Sequence, residues 1–156
     1  MGQVVTLDDL DGLLEAHRAA GRTVALANGC FDMLHVGHVR YLQGAAAEAD
    51  MLVVAVNDDE SVRTLKGAGR PVMPEADRAE VLAALRCVDY VVLFGGRTVA
   101  EVLLRYKPDV HCKGTDYTVE SVPERPIVQS YGGRTAIVGD PKDHSTRDLI
   151  ARITPG

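Results

Sequence analysis

His35 and His38 stand three residues apart at the end of the run Asn28-Gly29-Cys30-Phe31-Asp32-Met33-Leu34-His35-Val36-Gly37-His38. On a helix that spacing stacks two side chains on one face, so both imidazoles address the same point. Paired imidazole N–H donors suit a transferring phosphorus. Where the attacking oxygen is a phosphate already ionised, catalysis consists of positioning and of donors matched to charge on the phosphoryl group, and no proton has to be abstracted. Gly29 and Gly37 let an anion approach the backbone, and the free N–H groups and positive dipole end of a helix start favour phosphate. Two ordinary surface histidines are the plain alternative; the coincidence of strand, glycine turn, paired His and helix start weighs against it. Asp32 is the nearest carboxylate for a metal riding on substrate phosphates, with contact to the acceptor or support of the turn as alternatives, and no dedicated metal cage is present. Cys30 has no neighbour that would depress its thiol as a nucleophile requires.

The elements that must position these residues alternate along the chain. Thr6 caps a helix running to about residue 20, with Leu10, Leu13, Leu14 and His17 on one face and acidic residues in its first turn. The apolar run 23–27 and the segments 51–57, 89–94, 109–113 and 135–138 read as strands, and 36–49, 60–66, 75–86, 98–106 and 145–153 as helices. Strand, helix, strand throughout predicts an α/β fold: a single Rossmann-like, doubly wound parallel five-stranded sheet with helices on both faces. Ligands then belong beyond the carboxyl ends of the strands, where the histidine turn falls. Segments 66–74 and 114–126 read as long loops.

Length and composition set limits on the partners. The 156 residues fit one domain, 1–156, and 46% hydrophobic with 25% charged residues can bury a continuous core. Aromatics are only 4%, so Val, Leu, Ile and Ala must fill it. A net charge of -5 argues against a nucleic-acid partner, since such proteins offer the phosphate backbone a broad positive surface. Cys30, Cys87 and Cys112 form no CxxC pair, which points to a reducing cytoplasm. No apolar run approaches the roughly 20 residues of a membrane span, and no basic leader is expected.

Taken together, Gly29-Cys30-Phe31-Asp32 and His35-Val36-Gly37-His38 resemble the signature of the HxGH nucleotidyltransferases of the cytidylyltransferase type. The likeness extends from Leu26 to Ile153, through Val56-Asn57-Asp58-Asp59, Lys66-Gly67 with Gly69-Arg70-Pro71, Asp77-Arg78-Ala79-Glu80, Cys87-Val88-Asp89-Tyr90-Val91, Lys113-Gly114-Thr115-Asp116-Tyr117 and Ser145-Thr146. Within the family it is strongest toward enzymes acting on heptose phosphates. The resemblance implies ATP or CTP bound with Mg2+, a small phosphomonoester as acceptor, pyrophosphate release and a homodimer. It further implies that His35, His38 and Lys66 are catalytic and that Gly29, Cys30, Phe31, Asp32, Gly37, Arg78, Lys113, Gly114, Asp116, Ser145 and Thr146 bind nucleotide.

Each role has a physical counterpart. Lys66, beside Gly67 and Gly69, is a mobile ammonium able to close over a triphosphate. Arg78 is suited to clamp a phosphate, or to pair with the acidic residues around it on a helix surface. The segment from Lys113 to Tyr117 leaves a strand at the ligand edge, where backbone reads a base and Asp116 accepts from ribose or base; a simple turn is the alternative. Ser145 and Thr146 cap the last helix, dock triphosphate oxygens, or do both. Two places depart from the resemblance: Arg147 stands where a small hydroxyl residue is usual, and 118–129 differs from the heptose enzymes. Transfer of AMP to a heptose 1-phosphate is the expected reaction. Cytidylyl transfer to glycerol 3-phosphate, FAD synthesis and a nucleotide-binding regulatory module are the alternatives.

Overall fold

The protein is described from a computed structural model covering residues 2–96, 98–140 and 146–153. Its elements are β1 (Gln3–Val4), α1 (Leu7–Ala19), β2 (Val24–Gly29), α2 (Val36–Ala46), β3 (Met51–Asn57), α3 (Asp59–Lys66), α4 (Glu75–Ala83), β4 (Tyr90–Phe94), α5 (Ala100–Tyr106), β5 (Val110–Lys113), α6 (Arg125–Ser130), β6 (Arg134–Ile137) and α7 (Thr146–Ile153). All strand pairs are parallel and the order is β1-β4-β3-β2-β5-β6.

The α/β, doubly wound architecture agrees with the sequence reading, but among the described residues the sheet has six strands rather than five. β1 is two exposed residues long, too short to show any periodicity. It exists because Gln3 N–H donates to Asp89 O at 3.0 Å and Val5 N–H to Val91 O at 2.9 Å, extending the β4 edge. A second departure is α6, which begins inside the expected loop. Pro126, at the end of the expected loop, lies in the first turn of the helix, where no intrahelical donor is lost.

Every residue of β3 is buried, as its continuous apolar run requires for a strand with neighbours on both sides and helices on both faces. Leu42, Ala45, Leu82 and Ala83 bring α2 and α4 onto one face; Leu10, Leu14, Val102, Leu103 and Val128 bring α1, α5 and α6 onto the other. From β2 the chain winds outward through β3 to β4, then returns across the sheet to β5. The strand order therefore reverses between β2 and β5, and the crevice at their carboxyl ends is where a doubly wound sheet binds ligands. Among the described residues, no helix is long and apolar enough to cross a membrane.

Candidate active site

A cavity of about 1040 Å³ opens at that crevice and takes in Asn28 to Asp32, His35, Gly37, His38, Lys66, Arg70 and the segment from Lys113 to Tyr117. It is as large as the largest small-molecule sites, with room for a nucleoside triphosphate and a second ligand. The turn that enters it from β2 is held in an unusual backbone. Phe31 and Met33 have φ of 50° and 54°, a left-handed conformation that non-glycine residues avoid. Burial of the Phe31 ring anchors it: the ring meets His38 edge-on with centroids 5.4 Å apart and lies near-parallel to Tyr41 at 6.4 Å.

His35 is the N-cap of α2. Its Nδ1 accepts from Gly37 N–H at 3.1 Å, and His38 Nδ1 accepts from His35 N–H at 3.2 Å, so each imidazole meets one of the orphan donors of the helix start. An N–H aimed at Nδ1 requires a lone pair there, so both neutral rings carry their hydrogen on Nε2. The rings stack with centroids 3.9 Å apart and 28° between planes. The helix cap thus fixes two tautomers, each with its hydrogen on Nε2, on two rings that stack as the three-residue spacing anticipates.

Asp32 ties the turn after β2 to the 70–73 loop. Its carboxylate, with no side-chain exposure, accepts from Arg70 Nε and Val72 N–H at 2.8 Å and from Met73 N–H at 2.9 Å. Burial would raise its pKa, but the Val72, Met73 and Arg70 donors outweigh that and hold it below the usual carboxylate range. Arg70 is the residue that sequence reasoning passed over: Asp32 draws it to the cavity that Lys66 also lines. Gly69-Arg70-Pro71 was visible as a segment, but nothing in it foretells a carboxylate partner 38 residues away.

Arg78 differs most from expectation. It is 1% exposed, and its guanidinium donates to Met73 O at 2.9 Å, to Cys30 O and Asn57 O at 2.7 Å, and to Asp59 Oδ1 at 2.8 Å. Neither a phosphate clamp nor a surface ion pair describes it. The side chain turns inward because the ends of β2 and β3 and the loop before α4 leave three carbonyls converging on one buried point.

Lys113, Gly114 and Asp116 line the cavity where β5 ends. Burial lowers the Lys113 pKa, against the opposing charges of Glu124 and Asp116, and its Nζ lies 4.8 Å from the centre of the Tyr117 ring. Burial raises the Cys30 thiol pKa despite the nearby Lys66, Arg78 and Arg70 charges, the direction opposite to the one that activates a nucleophilic thiol. Ser145 lies outside the described residues, and of Thr146 only its place at the start of α7 is described. Among the described residues, no group of three His, Cys, Asp or Glu side chains forms a metal-binding cluster.

Such a cavity, with paired imidazoles at a helix start on a doubly wound sheet, is the candidate active site, and comparison with known proteins supplies the class. Residues 26–151 match the Cytidylyltransferase-like family. The chain belongs to this family and is a nucleotidyltransferase. It is 48% identical over 151 residues to the Bifunctional protein HldE of Geobacter metallireducens, covering 97% of this chain and 31% of the relative, and 47% identical over 146 residues to that of Syntrophotalea carbinolica. The chain spans about a third of the length of these curated relatives. A crystal structure of a lipopolysaccharide core biosynthesis protein from Thermoplasma volcanium superposes with a TM-score of 0.68 at 25% identity, over 78% of this chain and all of that one. Pantothenate synthetase from Thermus thermophilus, at 17% identity and a TM-score of 0.67 over 96% of this chain and 67% of that one, shares the fold.

Proposed function

We propose that the chain transfers AMP from MgATP to a sugar 1-phosphate, specifically a heptose 1-phosphate, and releases pyrophosphate. The observation that carries this reading is the pair of imidazoles whose Nδ1 atoms are committed to backbone N–H groups, leaving Nε2–H as the donor of each ring. An oxygen of the acceptor phosphate attacks the α-phosphorus as the bond from that phosphorus to the bridging oxygen breaks, and the bonding pair leaves with pyrophosphate. The acceptor oxygen is already ionised, so no general base is needed. His35 and His38 donate to the non-bridging oxygens as charge shifts in the transition state. Lys66 and Arg70, which both line the cavity, offer cations to the departing phosphates. Mg2+ enters on the triphosphate as part of the substrate.

The choice of acceptor is supported by the relatives named Bifunctional protein HldE and by the Thermoplasma protein's description in lipopolysaccharide core biosynthesis. Cytidylyl transfer is the second reading, favoured by the family's description. The test is pyrophosphate release from MgATP and from MgCTP against a panel of sugar 1-phosphates and glycerol 3-phosphate. Release with ATP and heptose 1-phosphate supports the first reading; release only with CTP replaces it by the second.

A further inference from the structure

His111 is buried in the sheet and has no part in the mechanism above. It is fully shielded from solvent and lies in register with Leu26 of β2, on the face covered by α1, α5 and α6. Asn28, two residues beyond Leu26, stands on the same face where β2 reaches the cavity. His111 Nε2 is 2.8 Å from Asn28 Oδ1, while His111 Nδ1 has no hydrogen-bond partner among the described residues.

Two arrangements of a neutral ring fit this contact. In one, Nε2–H donates to the Asn28 carbonyl oxygen and the buried Nδ1 is an unpaired acceptor. In the other, the Asn28 amide is turned over, its NH2 donates to Nε2, and a buried Nδ1–H is left unpaired. Orphaned buried N–H groups are rarer than under-satisfied acceptors, which selects the first. Burial first, and the Lys113 charge second, keep the ring neutral, with its pKa lowered to about 3. The Asn28 amide nitrogen donates to none of the described residues, and Asn28 lines the cavity.

We propose that His111 is a positioning residue: its Nε2–H pins the oxygen of the Asn28 amide, so the amide NH2 faces the cavity as a donor to a substrate oxygen. This rests on the reading of the cavity as a transferase site. The oxygen is a phosphate or hydroxyl oxygen, of the triphosphate or of the acceptor. Neutral Asn28 without its histidine would be free to turn over and offer an acceptor instead, repelling the anionic ligand.

The test compares wild type with Asn28→Ala, His111→Leu, His111→Gln and the double variant Asn28→Ala/His111→Leu, measuring KM and kcat for both substrates, with thermal melts to confirm folding. Asn28→Ala is expected to raise the KM of one substrate about tenfold and leave the other within about twofold. His111→Leu should raise the same KM, and His111→Gln, whose amide can still donate to Asn28, should return it toward wild type. In the Asn28→Ala background His111→Leu should add nothing, because its effect runs through Asn28. Which KM moves identifies the substrate that carries the oxygen. Unchanged KM values in folded Asn28→Ala would overturn the proposal, as would a His111→Leu effect undiminished in the double variant. If His111→Leu does not fold, Asn28→Ala and His111→Gln decide. A wild type inactive with every acceptor instead refutes the transferase reading, and the inference falls with it.

Discussion

Replacing Arg78 separates a structural role from a phosphate-binding one. In Arg78→Met a buried side chain of similar length remains, but Cys30 O, Asn57 O and Met73 O lose their donors and Asp59 loses its partner. A buried acceptor left unpaired costs about 1–3 kcal/mol. The Asp59 side chain is 34% exposed and rehydrates, so its share is small. Relaxation of the carbonyls toward water brings the total to about 4 kcal/mol, in the range found when one partner of a buried charge pair is removed. With a urea slope of about 2 kcal/mol/M, the midpoint should fall by about 2 M, read by circular dichroism. Arg78→Lys should recover only part of this, because one ammonium cannot span four acceptors. On protein that stays folded, the KM for ATP should change less than about threefold, since the guanidinium is buried behind the residues that line the cavity. A loss of stability under about 1 kcal/mol, with a selective rise in the KM for the triphosphate, would refute this and return Arg78 to the phosphate clamp.

Other perturbations bear on the same site. His35→Ala should cost about 1 kcal/mol of stability as well as activity, because it removes the α2 cap; unfolding curves superimposable on wild type would deny the capping role. Asp32→Asn removes the charge facing Arg70 and should increase proteolytic cleavage within 70–73 and raise the KM for ATP. Unaltered cleavage would show that the loop is held by other means. The depressed His111 pKa gives a pH signature. Folded His111 stays neutral down to about 3 while the unfolded chain takes up a proton near 6.5, so stability is present above 6.5 and is lost as pH falls toward 3. The slope from this residue should approach about 1.4 kcal/mol per pH unit, and His111→Gln should flatten it.

The histidine pair was legible because its information is local: a three-residue spacing, two glycines and a strand ending in a turn lie within one short run. β3 was legible for a similar reason, since burial on both faces leaves no alternation to misread. β1 and α6 were not. β1 owes its existence to the exposed edge of β4, and α6 is hidden by a proline whose effect depends on where the helix starts. The misassigned Arg78 shows the same limit in the site, because its partners are mostly backbone carbonyls, which sequence does not display. Asp32 and Arg70 pair across 38 residues, and His111 meets Asn28 across 83; only the sheet order brings them together.

The central claim is tested most directly by following the α-phosphate. ATP labelled there, with Mg2+ and heptose 1-phosphate, should yield a labelled nucleotide sugar and one pyrophosphate per turnover. His38→Ala should slow the step by about 100-fold or more with little change in KM. Transfer of the γ-phosphate instead, or undiminished turnover in folded His38→Ala, would contradict the account.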